Sequence, residues 1–146
     1  MSVFHTLTTN PILYRALLAW MISQGLKVII AWFKAGRIDL ERLTGAGGMP
    51  SAHSAIVSAL SAGAIRFTGF ESPLTAVTVT FALIVMYDAA GVRQAAGKQA
   101  EVLNKIIEQF RLHKHVTEIP LKELLGHTPV EVLAGALLGI TIAYWN

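Results

Sequence analysis

Two histidines in this chain stand beside residues that could make them chemically active. His53 follows a glycine-rich stretch, Gly45 to Gly48, and the pair Pro50-Ser51. Glycines let the backbone pass close to a ligand, and a Pro-Ser pair is good chemistry for entering a helix. Free N–H groups that lead into a helix N-terminus attract anions, above all phosphate. The stretch predicts an anion site at Gly48, Ser51 and His53; the alternative is that His53 only caps or packs its helix.

The second histidine, His127, precedes Glu131 by four residues. One helical turn would bring this carboxylate against the imidazole, where it could orient the ring and support its positive charge. The same residues also match a helix start, with Thr128 as N-cap, Pro129 at the first position and Glu131 closing a capping box. In that case His127 lies just outside the helix, and its contact with Glu131 depends on how the chain enters.

Cations accompany the histidines. Lys27 lies about two turns inside an apolar segment, and Gln24 and Lys34 share its helix face by their spacing. A cation within a membrane segment is a functional-site hypothesis by default. The alternative is that both lysines extend their ammonium groups to the nearer interface.

The composition indicates what must position these groups. The 146 residues are 53% hydrophobic and 14% charged, with a mean hydropathy of +0.54, which is on the membrane side of soluble composition. The absence of cysteine excludes disulfides and thiolate metal sites. The length predicts a single domain over residues 1–146. A metal site of His53, Asp88, His127 and Glu131 is an alternative, but it lacks a close-spaced ligand pair.

The hydropathy pattern predicts an all-α integral membrane bundle of about four transmembrane helices and one amphipathic interfacial helix. The apolar segments are residues 11–33, 51–67, 74–91 and 129–145. Between the last two, Leu103, Ile106, Ile107 and Phe110 recur at helical spacing, which predicts an amphipathic helix on the membrane or against the bundle. The second apolar segment is rich in Ala and Ser, which suits close packing and makes the chain a candidate for homodimerisation.

The distribution of Lys and Arg predicts the orientation. The loops at 34–50 and 92–127 carry nine of the twelve Lys and Arg residues, and they lie on one side of a four-helix topology. By the positive-inside rule this side is cytoplasmic and both termini face away. The helix ends with His53, Asp88, Arg93 and His127 emerge on that side too. Cations gathered to bind phosphate would give the same distribution, and nothing in it indicates nucleic-acid binding.

Three segments carry a resemblance to a known family: GGMPSAHS at residues 47–54, DAAGVR at 88–93 and ELLGHTPVE at 123–131. With them the chain, from about Gln24 to Gly139, resembles the divergent branch of the type 2 phosphatidic acid phosphatase and vanadium haloperoxidase superfamily. The resemblance implies a metal-free, acid-phosphatase-like phosphomonoesterase that works through a phosphohistidine without a cofactor. It also implies that vanadate inhibits by mimicking phosphate.

The resemblance assigns roles to individual residues. It implies that His127 attacks phosphorus, that Glu131 orients it, and that His53 protonates the leaving oxygen. A further set implied to hold or support the phosphate is Lys27, Lys34, Arg93, Gly48 and Ser51, with Asp88 and Gln24 as supporting residues. The implied substrate is a lipid phosphate or a prenyl (pyro)phosphate, because the site lies at the interface where such head groups reside.

The chain departs from the superfamily signatures at several positions. Lys34 and Ala35 stand where the first signature has Arg-Pro, and Glu131 stands where the third has Asp. Leu121 occupies the position of the third-signature arginine, so Arg93 is the better candidate for that guanidinium. These departures favour a second hypothesis, a non-catalytic membrane protein that binds phospholipid head groups or a partner at the same anion site. Vanadate-dependent halide oxidation is a third.

Overall fold

The computed structural model describes residues 9–36, 48–113 and 126–145, and these residues are helical with short connections. The helices are α1 (Pro11–Ala35), α2 (Ala52–Thr68), α3 (Pro73–Ala90), α4 (Val92–His113) and α5 (Pro129–Tyr144). The all-α class predicted from the sequence is therefore confirmed over the described ranges. The connections at 37–47 and 114–125 lie outside the described ranges. They contain most of the predicted polar loop and part of the predicted amphipathic segment.

Local sequence signals set the helix starts. Asn10, Ser72 and Thr128 each cap a helix with a side-chain oxygen, and a proline follows each cap at the first helical position. At the other end of α1, Gly36 adopts the left-handed conformation with φ 67°. The predicted polar loop from residue 34 therefore begins later than expected, because α1 continues to Ala35.

Helix α2 lies at the centre and packs against α1, α3 and α5. Its buried side chains are small, and those at Ala55 and Ala59 join Ala16 and Ala19 of α1 in the core. Helix α5 approaches α2 so closely that a Cβ atom at Gly139 would overlap the carbonyl of Ala55. Small residues allow such close backbone contact, which is typical of helix packing in membranes.

The outer surface carries large apolar side chains, while the interior is filled by small ones, mainly Ala and Ser. The exposed side chains on α1, α3 and α5 include Phe33 at 76% and Leu137 at 66%, whereas Ser54 in the interior is fully buried. Two helical stretches, Pro11–Phe33 and Pro73–Phe110, are long and apolar enough to cross a membrane, and Pro129–Tyr144 is a shorter apolar helix. Large apolar side chains facing outward are expected where lipid rather than water surrounds the bundle.

Helix α4 stands apart from the bundle. Among the described helices it packs only against α3. Its apolar side chains are open, with Val102, Leu103 and Phe110 exposed by 56%, 47% and 60%. The sequence predicted this helix either on the membrane or against the bundle. Among the described residues its apolar face does not pack against the bundle, and that face is available to a membrane surface.

The bundle has two chemically different ends. We call the end with His53, Asp88 and His127 the histidine end, where α2 and α5 begin. We call the other the arginine end, where Arg15 and Arg66 donate hydrogen bonds to backbone carbonyls at the end of α5. The topology thus brings the predicted histidines, 74 residues apart in the chain, to one end.

Candidate functional site

His127 is held by two groups, a backbone carbonyl of α3 and a carboxylate in the first turn of α5. Its backbone N–H donates to the Ala89 carbonyl of α3 over 3.1 Å. Its Nδ1 atom lies 3.2 Å from Oε2 of Glu131, and the same carboxylate accepts from the Thr128 amide over 3.0 Å. The two interpretations of this segment are therefore compatible: Glu131 completes a capping box and also contacts the imidazole. Because Nδ1 contacts the carboxylate, any reaction of the ring would use the other nitrogen, Nε2, which is buried.

His53 brings the second imidazole to the same place. It lies in the first turn of α2, and its ring centroid is 5.9 Å from that of His127, with the ring planes at 63°. His53 is partly exposed, whereas His127 is 1% exposed. Two imidazoles at this separation can serve as a nucleophile or base and an acid in one reaction.

Ser51 connects the two histidine-bearing helices. Its hydroxyl caps α2 by accepting from the Ser54 amide, and its own amide donates to the Glu131 carbonyl over 2.9 Å. This amide was expected to bind phosphate, but it is already engaged, and Ser51 is fully buried. Ser51 therefore positions the start of α2 against the start of α5, and its phosphate-binding role stays a prediction.

Lys27 lies at the histidine end, and its side chain is buried. The residue is 5% exposed, and its Cγ lies 4.0 Å from the position that a Cβ atom on Gly48 would take. Its ammonium group is within electrostatic range of Glu131. Gly48 adopts a positive φ of 87°, a conformation that favours glycine. A buried cation beside a glycine turn suits an anion.

Asp88 lies beside His53 in a cavity of about 280 Å³. The cavity walls are His53, Asp88 and three apolar residues, Ile84, Val85 and Ala89. His127 is next to His53 but not in this wall, so a ligand in the cavity meets His53 first. Asp88 therefore shares a cavity wall with His53, and its supporting role stays a prediction.

The structure gives less information about three other predicted site residues. Gln24 is partly buried on α1, one turn before Lys27. Lys34 belongs to α1 and Arg93 belongs to α4, and the structure does not describe the placement of their side chains. Their phosphate-binding roles remain predictions. Within the described ranges, no group of three or more His, Cys, Asp or Glu residues is arranged to hold a metal ion.

Sequence reasoning missed two contributors to the site. One is the Ala89 carbonyl, which holds the His127 backbone. The other is Gly135, where a Cβ atom would overlap the Ser51 carbonyl and push α5 away from α2. No residue-type signal marks a backbone carbonyl as a partner. For glycine there was a signal, because Gly135 and Gly139 form a small-xxx-small pattern on α5.

Comparison with known proteins identifies the family. A family model described as the divergent PAP2 family matches residues 8–142. This chain belongs to the divergent PAP2 family. It is also 43% identical over 147 residues, covering 93% of each chain, to a protein of Bacillus subtilis (strain 168) named "Uncharacterized membrane protein YuiD". No solved structure matches it significantly.

Family membership covers every part of the site described above. The matched range includes α1 and the starts of α2 and α5, so the histidine end lies within the region typical of the divergent PAP2 family. The relative named as a membrane protein and the two spanning-length apolar stretches together support a membrane protein. The predicted family is thereby confirmed at the level of a divergent PAP2-related family.

Proposed function

We propose that this protein is an integral membrane phosphatase that hydrolyses a lipid phosphate or a prenyl (pyro)phosphate through a phosphohistidine. The observation that carries the proposal is the paired arrangement of His53 and His127, with ring centroids 5.9 Å apart, and the Glu131 carboxylate 3.2 Å from His127 Nδ1. Membership of a divergent PAP2 family supports phosphatase-related chemistry at this place.

The first step uses both histidines. Nε2 of His127 attacks phosphorus while the bond to the leaving oxygen breaks, and protonated His53 gives its proton to that oxygen. Glu131, at Nδ1, keeps the ring oriented and offsets the positive charge that develops on it. The products are phosphorylated His127 and the leaving group, which is the alcohol for a phosphate monoester and the prenyl monophosphate for a prenyl pyrophosphate.

The second step restores the enzyme. His53, now neutral, takes a proton from water, and the resulting hydroxide attacks phosphorus as the bond to His127 Nε2 breaks. Inorganic phosphate leaves and both histidines return to their starting forms. The side chain of Lys27 is buried with its Cγ beside Gly48, and its ammonium group, within electrostatic range of Glu131, would offset charge on the phosphate oxygens. Lys34 and Arg93 complete the proposed cation set.

The proposed orientation places the substrate head group at the histidine end. In this topology α1, α2, α3 and α5 cross the bilayer, the basic segments and the histidine end are cytoplasmic, and both termini face the opposite side. The apolar part of the cavity wall, Ile84 and Val85 on α3, then lies toward the acyl region. A phosphate on a hydrophobic carrier is the substrate class that fits such a site.

The decisive experiment is phosphate release by detergent-purified protein. The substrates are phosphatidic acid, phosphatidylglycerol phosphate and prenyl phosphates, compared for wild type, His127→Ala and His53→Ala. Lys98→Gln, an exposed change on α4, is the matched control. We expect wild type and Lys98→Gln to release phosphate and vanadate to inhibit that release. Both histidine variants should lose phosphate release, and the rate for His127→Ala should fall by at least about a thousandfold.

Two outcomes contradict the proposal. Release that continues in His127→Ala excludes the phosphohistidine. The other is the absence of release from every substrate while vanadate still raises the melting temperature of the wild-type protein. This result would favour the second candidate, a protein that binds phosphate-bearing head groups without turnover.

A further inference from the structure

A second cavity lies between α1 and α5, toward the arginine end. Its volume is about 540 Å³, and its wall consists mainly of apolar side chains with one cation, Arg15. Cavities of roughly 300–1,000 Å³ are the size range in which proteins hold small ligands. The cavity shares no residue with the one at His53.

The wall changes character along the α1 axis. Arg15 and Tyr14 lie near the start of α1, and Leu18 and Ile22 follow at three and seven residues beyond Arg15. Seven residues of α-helix correspond to a rise of about 10 Å. The cavity therefore has a cationic mouth and an apolar interior that continues along the helix axis.

Aromatic residues place the mouth at head-group depth. Tyr14 is 48% exposed and Trp145 is 72% exposed, and both line the cavity. Exposed Tyr and Trp at the ends of membrane helices lie at the level of lipid head groups. In a bilayer, the mouth then faces phosphates and the interior faces acyl chains.

The charge of Arg15 remains available at this mouth. Its Nη2 donates to the Trp145 carbonyl over 3.3 Å, and its guanidinium lies 5.1 Å from the centre of the Phe67 ring. The carbonyl and the ring are neutral, so they orient the guanidinium without cancelling its charge. A guanidinium has five N–H donors in a planar fork that matches phosphate oxygens.

We propose that the groove between α1 and α5 binds one anionic phospholipid, with its phosphate on Arg15 and an acyl chain along Leu18, Ile22 and Leu138. The occupant is a lipid rather than a soluble anion because the apolar interior requires a hydrocarbon chain. Net negative charge is selected because the mouth carries a guanidinium. This site is separate from the proposed phosphatase site and does not depend on phosphatase activity.

The test measures lipid retention and stability of the full-length protein. Delipidated protein is mixed with phosphatidylglycerol or phosphatidylcholine of identical acyl chains, and bound lipid is counted by native mass spectrometry alongside the melting temperature. We expect wild type to retain phosphatidylglycerol over phosphatidylcholine by about tenfold, because both phosphates can accept from Arg15 but the guanidinium repels the choline cation of phosphatidylcholine. The melting temperature should rise more with phosphatidylglycerol.

Variants separate charge from shape. Arg15→Gln should lose the preference, Arg15→Lys should keep part of it, and Lys98→Gln on α4 should keep all of it. Thr141→Trp, at an exposed position of the cavity wall, should reduce retention of both lipids by filling the groove. Each variant is compared with its own lipid-free melting temperature, so a general loss of stability is recognised.

Four results would overturn the site. The first is equal retention of the two lipids by wild type, and the second is an unchanged preference in Arg15→Gln. The third is that wild type has the mass of a dimer and no lipid preference, while Thr141→Trp has the mass of a monomer. A second copy of the chain would then occupy the groove. A stabilisation by glycerol phosphate equal to that by the lipid would also exclude the acyl-chain contact.

Discussion

The two ends of the bundle differ in the electrostatic character of the α5 terminus that each contains. At the histidine end α2 and α5 begin, and their first turns are held by side-chain caps from Ser51 and Thr128. At the arginine end α5 finishes, and its last carbonyls accept from Arg15 and Arg66. Helix N-termini carry partial positive charge and C-termini partial negative charge. The α2 and α5 starts beside His53 and His127 therefore carry partial positive charge, and the end of α5 beside Arg15 and Arg66 carries partial negative charge.

The ends also differ in how their polar groups are protected. Ser51, His127 and Lys27 are all at most 5% exposed, and backbone contacts between helices hold the first two. Arg15 and Arg66 are partly exposed and lie over aromatic rings. Buried, hydrogen-bonded groups give defined geometry, whereas exposed cations give charge at the surface. The proposed chemistry therefore uses the end with defined geometry, and the proposed lipid site uses the end with charge at the surface.

The largest expected effect is from Glu131→Gln. Glutamine can still close the capping box, so the helix start survives, but the carboxylate that contacts His127 is lost. We expect phosphate release to fall by about 10²- to 10⁴-fold, with little change in melting temperature. The matched variant is Thr128→Ala, which should instead cost about 1 kcal/mol of stability and less than about tenfold in rate. Equal rates for Glu131→Gln and wild type would remove Glu131 from the mechanism.

Next in size is Gly135→Ala, which tests the contact between the two helix starts. Its Cβ atom would overlap the Ser51 carbonyl, so we expect a loss of about 1–3 kcal/mol in the free energy of unfolding, together with reduced phosphate release. Gly25→Ala is the control, because nothing lies within 4 Å of its Cβ position. That change should be neutral or stabilise by up to about 1 kcal/mol. Similar melting temperatures for both variants would contradict the observed approach of α5 to α2.

A smaller effect is expected from Arg66→Gln at the arginine end. The guanidinium donates to the Ala143 carbonyl over 3.0 Å and to the Trp145 carbonyl over 3.4 Å. Since the site is partly exposed, we expect a loss of about 1 kcal/mol in thermal unfolding and an unchanged rate of phosphate release. A fall in rate larger than the fall in stability would show that the two ends are coupled.

The smallest effect is expected on α4, outside both ends. Lys105 and Glu101 form an exposed ion pair of 2.7 Å, one helical turn apart. Lys105→Gln should leave both the free energy of unfolding and the activity unaltered, because solvent screens an exposed ion pair. A large loss in either measurement would mean that α4 takes part in the bundle through contacts beyond α3.

Some features of this protein were determined by the sequence alone. The all-α class follows from apolar segments, and three helix starts follow from a cap residue before a proline, as at Thr128-Pro129. The contact of His127 with Glu131 was also predictable, since four residues separate them. These features depend on neighbours along the chain, and local spacing determines them. The sidedness of the bundle stays a prediction from the charges.

Other features were decided only by the tertiary structure. The 5.9 Å between His53 and His127, the burial of Lys27 against Gly48 and the engagement of the Ser51 amide all join distant parts of the chain. Two of the contacts that hold the site use backbone carbonyls, at Ala89 and Glu131, and every residue type carries a carbonyl. Residue identity therefore indicates which groups can do chemistry, while helix packing decides which of them meet.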